Sequence, residues 1–353
     1  MVKKLKYISN YLSLMDKARG QNIEKMVGCV QVPLGLAGPL KGKFIPLATT
    51  EGALVASVNR GCKAISKSES FSVLVKEAGT TRGPVFKVNG VREAEKLINW
   101  VEKNTKLLKE VALQTEKHLS LIEVTHKMVG KNVWLRFNFK TDEAMGMNMV
   151  TVASEKIVEL IERELEIECV SLSGNYCVDK KPSWLNFIEG RGKQVWVETV
   201  LSRKVVKEVL KTTPEKIVEV VYRKQLLGSV MSGSMGFNAH YANIVAGVFL
   251  ATGQDMAHVV EGSMGVTTAE IEDSDLYFSI YLPSLMVGTV GGGTHLATQK
   301  EALEIMGLGG KKGDAIKLAE VIGGAVLAGE LSLTAALASK DLARAHQKLG
   351  RGK

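Results

Sequence analysis

Cysteine is scarce in this chain of 353 residues: Cys29, Cys62, Cys169 and Cys177 form no CxxC pair and have no metal-ligand spacing to the six histidines. This excludes a disulfide framework and a zinc-ribbon type of site, and it reads as reduced thiols in a cytosolic setting with no metal. Also missing is any Lys/Arg-rich block with interleaved aromatics, although 46 Lys and Arg against 37 Asp and Glu leave a net charge of +9. Positive charge spread this evenly, with a pI near 9.2, suits small phosphorylated ligands at least as well as nucleic acid. The basic N-terminus, "MVKKLKYISNYLSLMDKARG", lacks a long apolar run and so does not read as a secretory signal. No GxGxxG, internal repeat or low-complexity linker occurs.

Between Gln225 and Gln254 there is no Asp, Glu, Lys or Arg. Such a run resembles a membrane span, but Ser229, Ser232, Ser234, Asn238, His240 and Asn243 make it too polar for a span of about 20 apolar residues. It reads as a buried loop and helix of a soluble protein.

What is present is ample for a sizeable core: 45% hydrophobic residues, 24% charged and a mean hydropathy of +0.06. Residues 1–20 carry Tyr7, Ile8, Tyr11, Leu12 and Met15 at helical spacing, and 30–40 is an extended stretch punctuated by Pro and Gly. Thr49 and Thr50 offer N-cap hydroxyls to a helix running through Ile65, with Glu51 in its first turn. From 84 to 172 strands and helices alternate. "PVFKV" is a strand, Ala94, Leu97, Ile98 and Val101 line a helix, and "VWLRFNF" alternates strictly. Ala153, Ile157, Leu160 and Ile161 line a second helix before the strand "ECVSL". This predicts a small α/β or α+β unit, inserted into a larger one. Residues 173–353 read as helix- and glycine-rich, with one strong strand at 276–282.

Four ionisable groups stand in unusual company. In "GNYCVDKKPSW", Lys180 is crowded by Tyr176, Cys177, Trp184 and Phe187, and a shielded ammonium calls for an anionic partner or substrate. Asp255 ends the uncharged run and, if buried, needs a partner such as a lysine. Glu51 at a helix start equally suits a dipole-stabilising role, and a histidine seven residues from the end, as His346 is, more often lies on plain surface. Two glycine-bearing stretches, "EAMGMNMV" (143–150) and "GTVGGGTHL" (288–296), can bring bare backbone close to a phosphate; a tight packing turn is the other reading of the second.

Taken in order, the stretches "VPLGLAGPL", "TTEGALVASVNRGCKAI", "TRGPV", "AMGMNM", "SGNYCVDKKPSWLNFIEGRGK", "FNAHYANIVAGVFLATGQD" and "GTVGGGTHL" resemble the catalytic portion of class I 3-hydroxy-3-methylglutaryl-coenzyme A (HMG-CoA) reductases, in their soluble archaeal form. The resemblance runs from about residue 27 to the end. It implies an α+β fold with a large helix-rich substrate and dimerisation domain (21–83 and 173–353) after an N-terminal helical segment (1–20). Inserted between its halves is a small ferredoxin-like α/β cofactor domain (84–172). The implied activity is reduction of HMG-CoA to mevalonate and CoA with two NADPH, in isoprenoid biosynthesis. By resemblance, Lys180 stabilises the oxyanion formed by hydride attack on the thioester. His346 protonates the departing CoA thiolate, Glu51 protonates the alkoxide in mevaldehyde reduction, and Asp255 tunes the Glu/Lys cluster.

The same resemblance places Arg82, Ser173, Asp179, Lys181 and Asn243 on the HMG moiety, with Asn59, Arg60, Lys63, Lys211 and His240 along CoA. It places Lys117, Met145, Gly146, Met147, Asn148, Gly291, Gly292, Gly293 and Arg351 on NADPH. Glu143 stands where the family usually has Asp, and "TEKHL" (115–119) replaces a Ser-Arg pair near the 2′-phosphate, leaving Lys117 beside Glu116. An NADH-preferring enzyme running oxidatively is therefore the alternative within the class, and a non-catalytic basic phosphate-ligand-binding protein the alternative outside it. The resemblance also implies a cytoplasmic homodimer, with no nucleic-acid or membrane partner. Its active sites would lie at the subunit interface, the stretch "EKMVGCVQVPLGLAG" would pack between subunits, and a dimer of dimers is left open.

Overall fold

The computed structural model describes residues 23–25, 29–68 and 70–339; the helical lead, His346 and Arg351 lie outside them. A hairpin of β1 (Leu34–Leu40) and β2 (Lys43–Ala48) precedes helix α1 (Leu54–Ile65). The helix begins later than its sequence predicts. Thr49 Oγ1 accepts from Glu51 N at 3.0 Å in a local turn, and Ala53, at φ 75°, blocks any earlier entry into helical backbone. Glu51 therefore lies on an exposed turn ahead of α1, and no acidic residue occupies the helix's first turn.

Strand β3 (Ser70–Arg82) joins the two halves of a nine-stranded sheet. Its first part pairs with β8 (Gly192–Leu201), from Ser70 opposite Val200 to Glu77 opposite Lys193. After a register shift its end pairs with β6 (Asn132–Lys140), from Thr80 opposite Phe139 to Arg82 opposite Phe137. Gly79 makes the change of partner possible: its φ is 86°, and a Cβ there would lie 2.0 Å from Asn138 Oδ1.

Beyond that junction the chain runs β4 (Val85–Lys87), α2 (Val91–Lys103), α3 (Thr105–Thr115), β5 (Ser120–Val129), β6, α4 (Met147–Leu165) and β7 (Cys169–Ser171). Its strands lie in the order β7-β4-β6-β5, all neighbours antiparallel, as in a split βαβ motif. The inward residues of β6, Val133, Leu135, Phe137 and Phe139, are fully buried, as their alternation predicts, and they join Leu97, Ile157 and Ile161 in a hydrophobic cluster drawn from residues 86–167.

A second, larger cluster joins β1, β2, α1, β8, α6 (Tyr241–Thr252), β11 (Asp275–Leu285) and α7 (Asp314–Ala338). Sequence reading finds only one strand after residue 173. The structure has β8, β9 (Gly236–Phe237), β10 (Gly265–Glu272) and β11; apolar Trp196 and Val200 on the open face and hydroxyls at the buried Thr199 and Thr267 hide the period of β8 and β10. The uncharged run 225–254 does contain a loop and the buried helix α6. Among the described residues, the helix long and apolar enough to cross a membrane is instead α7, and 83% of its apolar window is buried inside the protein. It is a core helix. A Cβ at Gly61 would come within 1.9 Å of Ala328 O, so α1 and α7 meet backbone to backbone.

Candidate active site

The loop after β7 is fastened at several points before it reaches its charged residues. Gly174 N donates to Gly83 O at 2.6 Å, and Trp134 Nε1 donates to Gly174 O. Thr81 Oγ1 donates to Cys177 O at 3.0 Å, and Asn186 Nδ2, from α5 (Trp184–Glu189), donates to Val178 O at 2.8 Å. Held this way, Asn175, Val178 and Lys180 all take positive φ (63°, 49° and 58°), which for a β-branched valine is a genuine outlier.

The loop's three charged residues diverge. Lys180 Nζ lies 2.8 Å from Asp255 Oδ2, while Lys181 Nζ donates to Asp179 O and points outward. Asp179 instead pairs with the fully buried Arg191, Nη2 to Oδ1 at 3.0 Å. The sequence predicts a shielded ammonium, yet within this chain the Lys180 side chain is 39% exposed. Nor is Asp255 a lone buried charge. It is half-buried, and it accepts from Ala257 N at 3.0 Å besides Lys180. Burial works against its ionisation, but the Lys180 hydrogen bond and that backbone N–H prevail and hold the Asp255 carboxyl below its ordinary range.

Glu51 faces a different partner. Its Oε2 accepts from Asn243 Nδ2 at 2.8 Å, at the N-terminal end of α6. His240, just before α6, lines an open hollow of about 750 Å³ with Asn243, Asn238 and Met264, and its buried Nε2 has no hydrogen-bond partner among the described residues. The loop carrying His240 is held from below by the buried Glu330 of α7, whose carboxylate accepts from Ala239 N, from His240 N at 2.6 Å and from Thr267 Oγ1 at 2.9 Å. Arg82 is half-buried with its Nε unpaired among the described residues, and Ser173 is exposed. Of the residues expected along CoA, Asn59 accepts from Gly38 N and Arg60 binds Ser332, so both have partners inside the chain. Lys63 and Lys211 are exposed.

The two glycine-bearing stretches come together. Ala144 bridges Val290, Thr289 N donates to Glu143 O at 2.8 Å, and a Cβ on Gly288 would meet Met145 N at 2.4 Å. Gln254, next to Asp255, clamps Gly288 by both amide atoms, at 2.9 and 3.0 Å. Gly293 packs on Gly253, so part of the second stretch is the packing turn that its sequence also allows. At Gly291 and Gly292 there is open space beside the chain, with φ 78° and 54°. Gly146 (φ 88°) leads into α4 with no side-chain cap, and Asn148 is exposed in the first turn of that helix. Such a helix N-terminus suits a phosphate-bearing ligand. Glu143 accepts from Gly313 N and Ala315 N (2.5 and 2.7 Å) and so ties this stretch to the start of α7. Lys117 is exposed beyond the end of α3.

Three residues missed in the sequence knit these parts together. Arg191 is completely buried, and it bonds Glu261 Oε1 (2.8 Å), Asp179, Thr81 Oγ1 (2.9 Å) and Met147 Sδ (3.0 Å). His258 Nδ1 lies 2.8 Å from the same Glu261 oxygen. Asp179, His258 and Glu261 are close enough to hold a cation, but Arg191 already places its guanidinium on both carboxylates. Nearby, burial and then the like charge of Arg191 lower the Arg136 pKa. The signal available in the sequence was the i, i+3, i+6 spacing of Asp255, His258 and Glu261, which one helical face brings into line.

A half-buried lysine–aspartate pair, a separate amide-held carboxylate and two abutting glycine-bearing loops thus come together on one α+β chain. Residues 2–351 match the family model for hydroxymethylglutaryl-coenzyme A reductase, and this chain belongs to that family. The 3-hydroxy-3-methylglutaryl-coenzyme A reductase of Methanocaldococcus jannaschii is 53% identical over 98% of this chain and 89% of its own length. That of Haloferax volcanii is 50% identical over 98% and 88%. Among solved structures, the class II enzyme of Streptococcus pneumoniae, bound to NADPH in open conformations, superposes with a TM-score of 0.72. It covers 92% of this chain and 89% of that one at 18% identity, and so speaks for the fold alone.

Proposed function

We propose that this protein reduces HMG-CoA to mevalonate and CoA at the expense of two NADPH, in the biosynthetic direction. The observation that carries this reading is the Lys180–Asp255 pair at 2.8 Å, on a loop whose strained backbone leaves the ammonium accessible. Hydride addition to a thioester places negative charge on oxygen, and a pre-positioned cation lowers that barrier. Lys180 takes this role. Glu51, oriented by Asn243, gives the proton to the alkoxide of the second reduction, and His346 gives the proton to the departing thiolate. The substrate carboxylate is assigned to Arg82, whose unpaired Nε favours an anion, and to Lys181. Asp179 and Ser173 receive the hydroxyacid, while Lys63, Lys211 and His240, with Asn59 and Arg60 behind them, receive CoA.

NADPH supplies the hydride. Met145 to Asn148 with the bare Gly291 and Gly292 would hold its pyrophosphate, Gly293 would shape that turn, and Lys117 and Arg351 would hold its 2′-phosphate. The separation of the two hydrophobic clusters supports a domain division at 84 and 172, with the inserted unit assigned to the cofactor.

A homodimer with interfacial active sites, in the cytoplasm, completes the proposal. The exposure of Lys180 in one chain supports it, as does an open sheet face bearing Leu74, Trp196 and Tyr281. The deciding experiment follows NADPH absorbance at 340 nm on adding HMG-CoA, about two NADPH consumed per mevalonate formed. No consumption by freshly prepared dimer would refute the reading.

A further inference from the structure

The buried charges behind Lys180 have a consequence for the reaction. Asp255 caps the short helical turn Met256–His258, accepting from Ala257 N, and this turn runs into Val259–Gly262. His258 and Glu261 follow Asp255 at successive i+3 positions, so all three share one face, and His258 and Glu261 are fully buried. The His258 ring stands between two carboxylates, Nδ1 being 2.8 Å from Glu261 Oε1 and Nε2 3.7 Å from Asp255 Oδ2. Among the described residues, Nε2 is buried without a hydrogen-bond partner, on a ring that nothing in the proposed chemistry uses.

A buried, unsatisfied ring nitrogen is costly unless the group opposite it gives something in return. Here that group is the carboxylate holding Lys180. Glu261 is itself fixed by Arg191, which also holds Asp179, so His258 has a rigid anchor on its Nδ1 side. A ring enclosed by acceptors on both sides serves both only with an N–H on each nitrogen. Contacts of this kind are commonly long before substrate arrives and tighten in the reacting complex.

We infer that His258 is a positioning residue for the reduction: through Nε2 it holds Asp255, and hence Lys180, in place while charge develops on the substrate oxygen. The inference rests on the proposed reductase reading and extends it.

The two amide substitutions separate this role from a merely structural one. Asn places its amide where Nδ1 lies and keeps the bond to Glu261; Gln places it where Nε2 lies and keeps the contact to Asp255. His258→Gln should retain kcat within about threefold, while His258→Asn should lose roughly tenfold or more in kcat with the KM for HMG-CoA changed less than about twofold. Equal activity of the two variants, or a loss confined to KM, would overturn the inference. Two readouts need no turnover. Lys180, followed by mass spectrometry during amine acylation, should react faster in His258→Asn than in wild type, and no faster in His258→Gln. In the wild-type protein, 15N NMR of the imidazole should find an N–H on His258 Nε2, and a bare Nε2 would refute the idea whatever the variants do. A wild-type protein inactive with HMG-CoA would instead refute the reductase reading.

Discussion

Lys180 Nζ and Asp255 Oδ2 lie 2.8 Å apart although 75 positions separate them in the chain (255 − 180), one on the strained loop after β7 and the other past the end of α6. Because the folded-state pKa of Asp255 is depressed, the stability it contributes is in place above the ordinary carboxylate value of about 3.9 and is lost as pH falls through the lowered folded value. The stability difference between wild type and Asp255→Asn should therefore stay constant from about pH 5 upward and shrink below about pH 4. Denaturant midpoints measured across that range check it; a difference that grows on acidification would contradict the pairing.

Removing the cation should affect chemistry rather than folding. Lys180→Ala is expected to lower kcat by about 10²–10³ or more, as for other lost oxyanion partners. Far-UV circular dichroism should be unchanged, since the side chain is exposed.

Glu330 gives the opposite outcome. Its carboxylate accepts from two backbone N–H groups and Thr267 while fully buried, and the amide of Glu330→Gln would set donors against donors. The expected cost is about 2–3 kcal/mol. Urea unfolding at neutral pH reads it directly.

The glycines of the 288–293 stretch should not be equivalent. Gly288→Ala forces a Cβ into Met145 N and Ala144 C, both backbone atoms, and should cost about 1–3 kcal/mol and weaken NADPH binding. Gly291→Ala meets open space, and its positive φ alone should cost about 1 kcal/mol. Thermal shift with and without NADPH compares the two.

Lys117→Ala tests cofactor choice. If this exposed cation meets the 2′-phosphate, the KM for NADPH should rise about tenfold while that for NADH, which has no such phosphate, stays put. Comparing wild-type rates with the two nucleotides decides between NADPH use and the NADH-preferring alternative, for which Glu116 beside Lys117 is the argument.

Within the 86–167 unit β6, α2 and α4 were legible because each buries one face: β6 alternates with period two, and α2 and α4 repeat apolar residues every three to four positions, whereas α3 and β5 went unread. β8 and β10 were not, because apolar Trp196 and Val200 stand on the open face while the hydroxyls of Thr199 and Thr267 stand on the buried one, which blurs the alternation. The helix start before α1 was misread for a local reason. Thr49 satisfies Glu51 N in a turn of its own, and a single residue at positive φ decides where helical backbone begins.

Taken by itself, the sequence determined the local periods and the residue types available for chemistry, because these depend on near neighbours and on composition. It also carried the family, through motifs whose order spans nearly the whole chain. Tertiary structure alone decided which charges meet. Arg191 reads as one basic residue in "EGRGK", yet it joins the loop after β7, the start of α4 and the segment after Asp255. In water such contacts are worth little; burial removes the solvent that would otherwise satisfy each charge, so every carboxylate must take a partner from a distant part of the chain. The split of "DKK" has the same origin: packing directs Lys180 to Asp255, Asp179 to Arg191, and leaves Lys181 outward.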